Sequence, residues 1–147
     1  AEYGQTVRKV RIRTGSLADA AFPDEYFDVV HSSHVIEHVD EPGVFLSEVA
    51  RILKPGGWSI TVPPNVASLQ ALLFRGEWRS AIADHMHLFS LSGLRRLLSE
   101  RGLEPVRSKT WGGMAQGLAC APVKAVLDKA AKAFGFGDVM AVLARKS

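Results

Sequence analysis

The stretch Phe27-Asp28-Val29-Val30-His31-Ser32-Ser33-His34-Val35-Ile36-Glu37-His38-Val39 decides how the rest of the chain is read. Val29 and Val30 are β-branched within a short apolar run, which suits a sheet interior, whereas Ser32, Ser33 and His34 are too small and polar to continue one. The pattern predicts a buried strand running straight into a polar turn that carries His34, Glu37 and His38. In an open α/β sheet, ligands sit just beyond the carboxyl ends of the strands. That turn is therefore expected at a ligand rim.

Downstream, Asp40 is placed to cap a helix and Pro42 to fill its first turn, while Val44, Phe45, Val49, Ile52 and Leu53 recur at helical spacing. Lys54-Pro55-Gly56-Gly57 should stop that helix, and Trp58 to Val62 reads as a strand that Pro63-Pro64 ends. Strand, helix and strand in this order imply a right-handed crossover between parallel neighbours. Val66 to Arg79 holds a short apolar helix and then a loop with Trp78. Ser90 is expected to cap a helix through Leu91, Leu94, Leu97 and Leu98 that ends at Gly102. Leu103 to Trp111 reads as a strand that tolerates Pro105 best near an edge, Pro122 to Phe134 as an alanine-rich amphipathic helix, and Asp138 to Arg145 as a closing strand.

At 147 residues and 47% hydrophobic, the chain is long enough to bury about two-thirds of its unfolded surface as one domain. The single cysteine, Cys120, excludes an internal disulfide and suits a reducing compartment. No apolar run approaches the ~18 residues needed to span a bilayer, and the start containing Glu2 does not resemble a signal peptide, so no membrane partner is expected and a cytoplasmic location is the default. The net charge of +3 raises the question of nucleic acid. Arg8, Lys9, Arg11 and Arg13, however, mostly alternate with Val10 and Ile12 as a strand with one wet face would, and no aromatic stripe offers a stacking platform. No nucleic-acid partner is expected.

Two glycine-rich turns fail as phosphate cradles. Gly112-Gly113-Met114-Ala115-Gln116-Gly117 lacks the G-x-G-x-x-G spacing and has Leu118 where a P-loop needs lysine. Gly135-Phe136-Gly137 follows a helix rather than opening one. His34-Val35-Ile36-Glu37-His38 also spells the H-x-x-E-H signature of inverted zinc peptidases, but that chemistry needs a long helix through the motif, and Asp40-Glu41-Pro42 interrupts it at once.

The run FDVVHSSHVIEHVDEPGVFLSEVARILKPGGWSITVPP resembles the central part of the class I S-adenosylmethionine-dependent methyltransferases, the branch with the O-methyltransferases of ubiquinone biosynthesis. There, "FDvV", "EHV", "LKPGG" and a final strand follow one another in this order. Gly15-Ser16-Leu17 before Phe22-Pro23-Asp24 resembles the adenine-side loop of that family, and Asp84-His85-Met86-His87-Leu88-Phe89-Ser90 its "DHxHxF" segment. The resemblance implies a Rossmann-like methyltransferase fold, a three-layer α/β/α sandwich. Val7 to Thr14 would be its third strand. No glycine-rich cofactor loop precedes it, so residues 1–147 are expected to be the C-terminal two-thirds of one catalytic domain, with a partial sheet lacking the first two strands.

The resemblance further implies S-adenosylmethionine as cofactor and a small-molecule oxygen or nitrogen acceptor. Carried over by position, Ser16 falls where an aspartate usually meets the adenine amino group, Leu17 where a backbone amide meets the ring, and Ser33, with Ser32 beside it, where the turn after the fourth strand touches the cofactor. His34, Glu37, His38 and His85 form the expected catalytic constellation. Small-RNA 2′-O-methyltransferases and some ubiquinone-pathway enzymes resemble it, with a Glu-x-x-Glu-His turn and a later histidine around a divalent cation; here His34 replaces the first glutamate. No metal is assigned. Histidine acting as a base and histidine bracing the turn remain open readings. An incomplete domain would bind the cofactor weakly, and its open edge at Val29-Val30 would invite pairing with another copy. A non-catalytic, self-associating α/β module is thus the alternative, and a homo-oligomer through that edge is expected.

Overall fold

A computed structural model describes residues 6–112, 129 and 134–147. The expectations for Gly113 to Leu118 and Cys120, and nearly all of the Pro122 to Phe134 helix, lie outside those residues. Strand β1 runs over Phe27–Ser33, helix α1 over Pro42–Ile52 and strand β2 over Leu53–Val62. A short helix α2 (Leu69–Phe74) passes into a single 3₁₀ turn (Arg75–Glu77), followed by helix α3 (Leu91–Ser99) and strands β3 (Leu103–Trp111) and β4 (Val139–Lys146).

The sheet order is β1-β2-β4-β3. β1 and β2 are parallel, as the crossover through α1 requires, whereas β4 is antiparallel to both β2 and β3. Leu46 and Val49 of α1 and Leu94 and Leu98 of α3 meet Met140, Val142 and Ala144 of β4 in one buried cluster. Their spacing of three and four residues puts each pair on one helix face. The opposite sheet face carries the half-buried Ile60, Ala141 and Leu143 beside Arg107 and Lys109, around an open hollow of about 600 Å³. Among the described residues, α1 and α3 pack on one side only.

Several local expectations are corrected. Val7 to Thr14 is not a strand: the segment is exposed and belongs to none of the ladders among the described residues, and alternation alone cannot hold a strand. Asp40 does not cap α1. The cap position belongs to Glu41, whose side chain makes no capping bond, while Pro42 supplies the preset first turn; the carbonyl of Asp40 instead accepts from His87 Nε2 at 3.1 Å. Leu53 is not the last helical residue but the first of β2, and Lys54 to Gly57 forms an irregularity inside that strand, where Phe27 pairs with Leu53 but Val29 already with Trp58. Glycine is required there: a Cβ on Gly57 would lie 2.8 Å from the Lys54 carbonyl and 3.1 Å from that of Asp28.

Other readings stand. Ser90 caps α3 by accepting from the amide of Gly93, and Leu103 to Trp111 is a strand as expected. Pro105 sits on the outer strand at a register shift, where no ladder donor is needed. β1 has a neighbour on one side only among the described residues, which leaves Val29 51% exposed.

Candidate functional site

β1 ends at Ser33, and His34 turns the chain with φ of 52°, while its amide still donates to Val62 at 2.9 Å. Left-handed backbone is rare for residues with side chains, though histidine is among those that tolerate it. Ile36, 1% exposed, pins the next turn into the core, and the amide of His38 closes it on the carbonyl of Val35. This is a tight turn rather than the helical turn the spacing of 34, 37 and 38 suggested, because Ile36 must point inward immediately.

The consequence is that Glu37 is fully buried, whereas the His34 ring stays half exposed. His34 Nδ1 donates to Glu37 Oε1 at 3.0 Å, and Glu37 Oε2 is buried with no hydrogen-bond partner among the described residues. A buried carboxylate oxygen without a donor costs roughly 1–3 kcal/mol, more when charged. Such a group calls for a partner that the described residues do not supply, whether a water, an ion or a ligand.

The segment before α3 closes the site from the other side. His38 Nδ1 donates to the Asp84 carbonyl at 2.8 Å and His85 Nδ1 to that of Ser80 at 2.7 Å. A carbonyl only accepts, so both imidazoles carry the proton on Nδ1 and present the Nε2 lone pair. The two rings meet edge to face with centroids 4.7 Å apart. One ligand atom from each of Glu37, His38 and His85 lies within 4.8 Å of the others. Two imidazoles oriented by carbonyls and one carboxylate suit either proton abstraction or a divalent transition ion. His34 stands outside that trio and acts on it through Glu37.

The other four expected residues are less converged. Ser32 is buried at the end of β1 and Ser33 is exposed beside it, both at the rim. Ser16 is exposed and turned onto its own loop: its amide and hydroxyl both donate to Asp19 Oδ2, at 2.8 and 2.7 Å. Those bonds hold the Asp19 carboxyl below its usual range. Leu17 packs against the core. A shallow hollow of about 570 Å³ lies next to the trio rather than over it, lined by Asp40, Glu41, Ser47, His87 and Arg101 among others.

Residues 65 to 79 and Asp138 were not anticipated as a unit. Asp138 is 2% exposed and accepts from Trp78 Nε1 and Arg79 Nε, both at 2.6 Å. Asn65, fully buried, donates to the carbonyls of Gly135 and Gly137. The only signal in the sequence was an aspartate opening an otherwise apolar strand.

A family model described as a methyltransferase domain matches residues 5–108. The chain belongs to the class I S-adenosylmethionine-dependent methyltransferases. This methyltransferase is 31% identical over 104 residues to the ubiquinone biosynthesis O-methyltransferase of Cereibacter sphaeroides, covering 66% of this chain and 42% of that protein. It is 38% identical over 73 residues to the fatty-acid O-methyltransferase of Mycolicibacterium smegmatis, covering 48% and 24%. The methyltransferase chain thus spans less than half the length of these curated relatives. Among solved structures, a SAM-dependent methyltransferase from Thermotoga maritima superposes with a TM-score of 0.76 at 21% identity, over 99% of this chain and 70% of that one. Geranyl diphosphate methyltransferase in complex with SAM gives 0.64 at 16%, over 100% and 64%. The four-stranded open sheet is therefore part of a Rossmann-like methyltransferase fold, and the family's cofactor is S-adenosylmethionine.

Proposed function

We propose that this chain forms the acceptor side of a methyl-transfer site, acting on an oxygen or nitrogen of a small molecule. The observation that carries this reading is the convergence of buried Glu37 with one ring nitrogen each of His38 and His85 just beyond the carboxyl end of β1. The cofactor supplies an electrophilic methyl group, so the protein has mainly to align the acceptor and, where the acceptor is a hydroxyl, to take its proton. His38 or His85 takes that proton at Nε2, while Glu37 stabilises the imidazolium that forms. His34 keeps the carboxylate oriented. Ser32, Ser33, Ser16 and Leu17 are the residues proposed to face the cofactor. The names of relatives that methylate ubiquinone precursors and fatty acids support an oxygen acceptor.

The same donor set fits a divalent cation, because Glu37 Oε2 has no partner among the described residues and lies in a group with His38 and His85. Held by Glu37, His38 and His85, such an ion would lower the pKa of the acceptor hydroxyl. One assay addresses both readings. The chain is incubated with S-adenosylmethionine and a panel of phenols, carboxylic acids and amines, with and without a chelator, and products are read by mass. His38→Ala and His85→Ala are each expected to lower turnover by about 10²–10⁴-fold. Turnover unchanged in both variants would discard the site.

The sequence holds no glycine-rich loop of the family's kind before Gly15. We therefore propose that these residues represent the C-terminal two-thirds of the domain and bind S-adenosylhomocysteine more weakly than micromolar, which calorimetry tests. A second reading, self-association through the open edge of β1, is favoured by the exposure of Val29. Light scattering across a concentration series should show a mass above the monomer that falls with Val29→Lys; a monomer throughout rejects it.

A further inference from the structure

We propose that Asp138, the residue immediately before β4, is a positioning residue for His85. The proposal deepens the reading of the Glu37, His38 and His85 site and rests on it. The side chain of Asp138 is 1% exposed, so both its oxygens need donors from protein. Among the described residues, the donors come from one segment, residues 65 to 79. Oδ1 accepts from the Trp78 indole at 2.6 Å and from the Ser68 hydroxyl at 3.3 Å, Oδ2 accepts from Arg79 Nε at 2.6 Å, and the backbone carbonyl accepts from the Asn65 amide at 2.9 Å.

Beyond Trp78 the chain makes a pair of tight turns with little packing of their own. The amide of Ala81 donates to the Trp78 carbonyl at 2.8 Å and that of His85 to Ile82 at 3.0 Å, while residues 81 to 84 are all exposed. The Ser80 carbonyl between these turns is the acceptor that fixes the His85 ring. Upstream, therefore, the histidine is held through Ser80 by Trp78 and Arg79, and these are held by Asp138. Downstream it is held by the bond from the His87 amide to the Glu37 carbonyl. Removing the upstream anchor frees Ser80, and with it the tautomer that leaves Nε2 open.

The test reads that tautomer and needs neither cofactor nor acceptor. Nitrogen-15 NMR of the histidine rings in the 147-residue chain should show His85 with its proton on Nδ1. Asp138→Asn and Trp78→Phe, the second keeping the ring but not the N–H donor, are each expected to abolish that dominance at His85 and to leave His31, out on β1, unchanged. Arg79→Gln, at a largely exposed position, gives a smaller loss in the same direction and covers the case in which Asp138→Asn does not fold. Lower thermal stability with the His85 tautomer intact in both folded variants would reduce Asp138 to a structural role and overturn the proposal. Loss of the tautomer without any effect of His85→Ala on methyl transfer would instead remove the functional reading and leave the positioning intact.

Discussion

At His34 two demands fall on one residue. The backbone must adopt φ of 52° to leave the strand, and the ring must give Glu37 its single described donor. Asparagine meets both, since it tolerates the left-handed region and carries an N–H, whereas valine meets neither. His34→Asn should unfold at nearly the wild-type urea midpoint. His34→Val should lose roughly 2–5 kcal/mol, from backbone strain and from a buried acceptor left wholly unpaired. A valine variant as stable as wild type would show that the turn does not depend on this side chain. The sequence offered His34, Glu37 and His38 by type and spacing and His85 by the resemblance, and the structure brings Glu37, His38 and His85 together with His34 bonded to Glu37. It did not announce the burial of Glu37. That burial arises from Ile36 being drawn into the core, a tertiary effect that local pattern does not carry.

Elements were legible where a local rule sufficed and misread where the partner mattered. Ser90 and the Leu91 to Leu98 face define α3 by themselves, and β3 was bounded correctly by Gly102 and Gly112. The start of β2 was not, because pairing of Leu53 with Phe27 recruits residues whose proline and glycines look like a helix stop. The last turns of α1 show a partnership of another kind. Arg51 donates from Nε and Nη2 to the two oxygens of Glu48, at 2.8 and 2.6 Å, and reaches Asp24 and the Phe22 carbonyl across the loop before β1. The hydrogen bonds from Arg51 hold the Glu48 carboxyl below its ordinary value of 4.5. A carboxylate with a depressed folded pKa contributes stability that is complete above the unfolded value and disappears as pH falls through the folded one. Glu48→Gln should accordingly melt below wild type at pH 7, and the gap should close as the pH is lowered from 4.5. A gap that stays constant down to the acid transition would mean that the glutamate acts through packing alone.

At the scale of the molecule, the strand order β1-β2-β4-β3 places β4 between β2 and β3 although it comes last of the four in sequence. Parallel pairing of β1 and β2 could be read from the strand, helix and strand order. The insertion of β4 against β2 has no local signature, since it depends on contacts between residues as distant as Trp58 and Arg145. This order has a bearing on how the protein is made. While the ribosome is still translating, β2 and β3 wait with free flanks and the cluster around Met140, Val142 and Ala144 has no floor. Nascent chains arrested at residue 137 should be digested readily by an added protease even when fully outside the exit tunnel, and chains extended past Lys146 should resist it. Equal resistance at both lengths would mean that the early strands fold without their keystone. Otherwise the brief interval in which β4 is made is when this part of the fold closes, and a chaperone is most needed just before it.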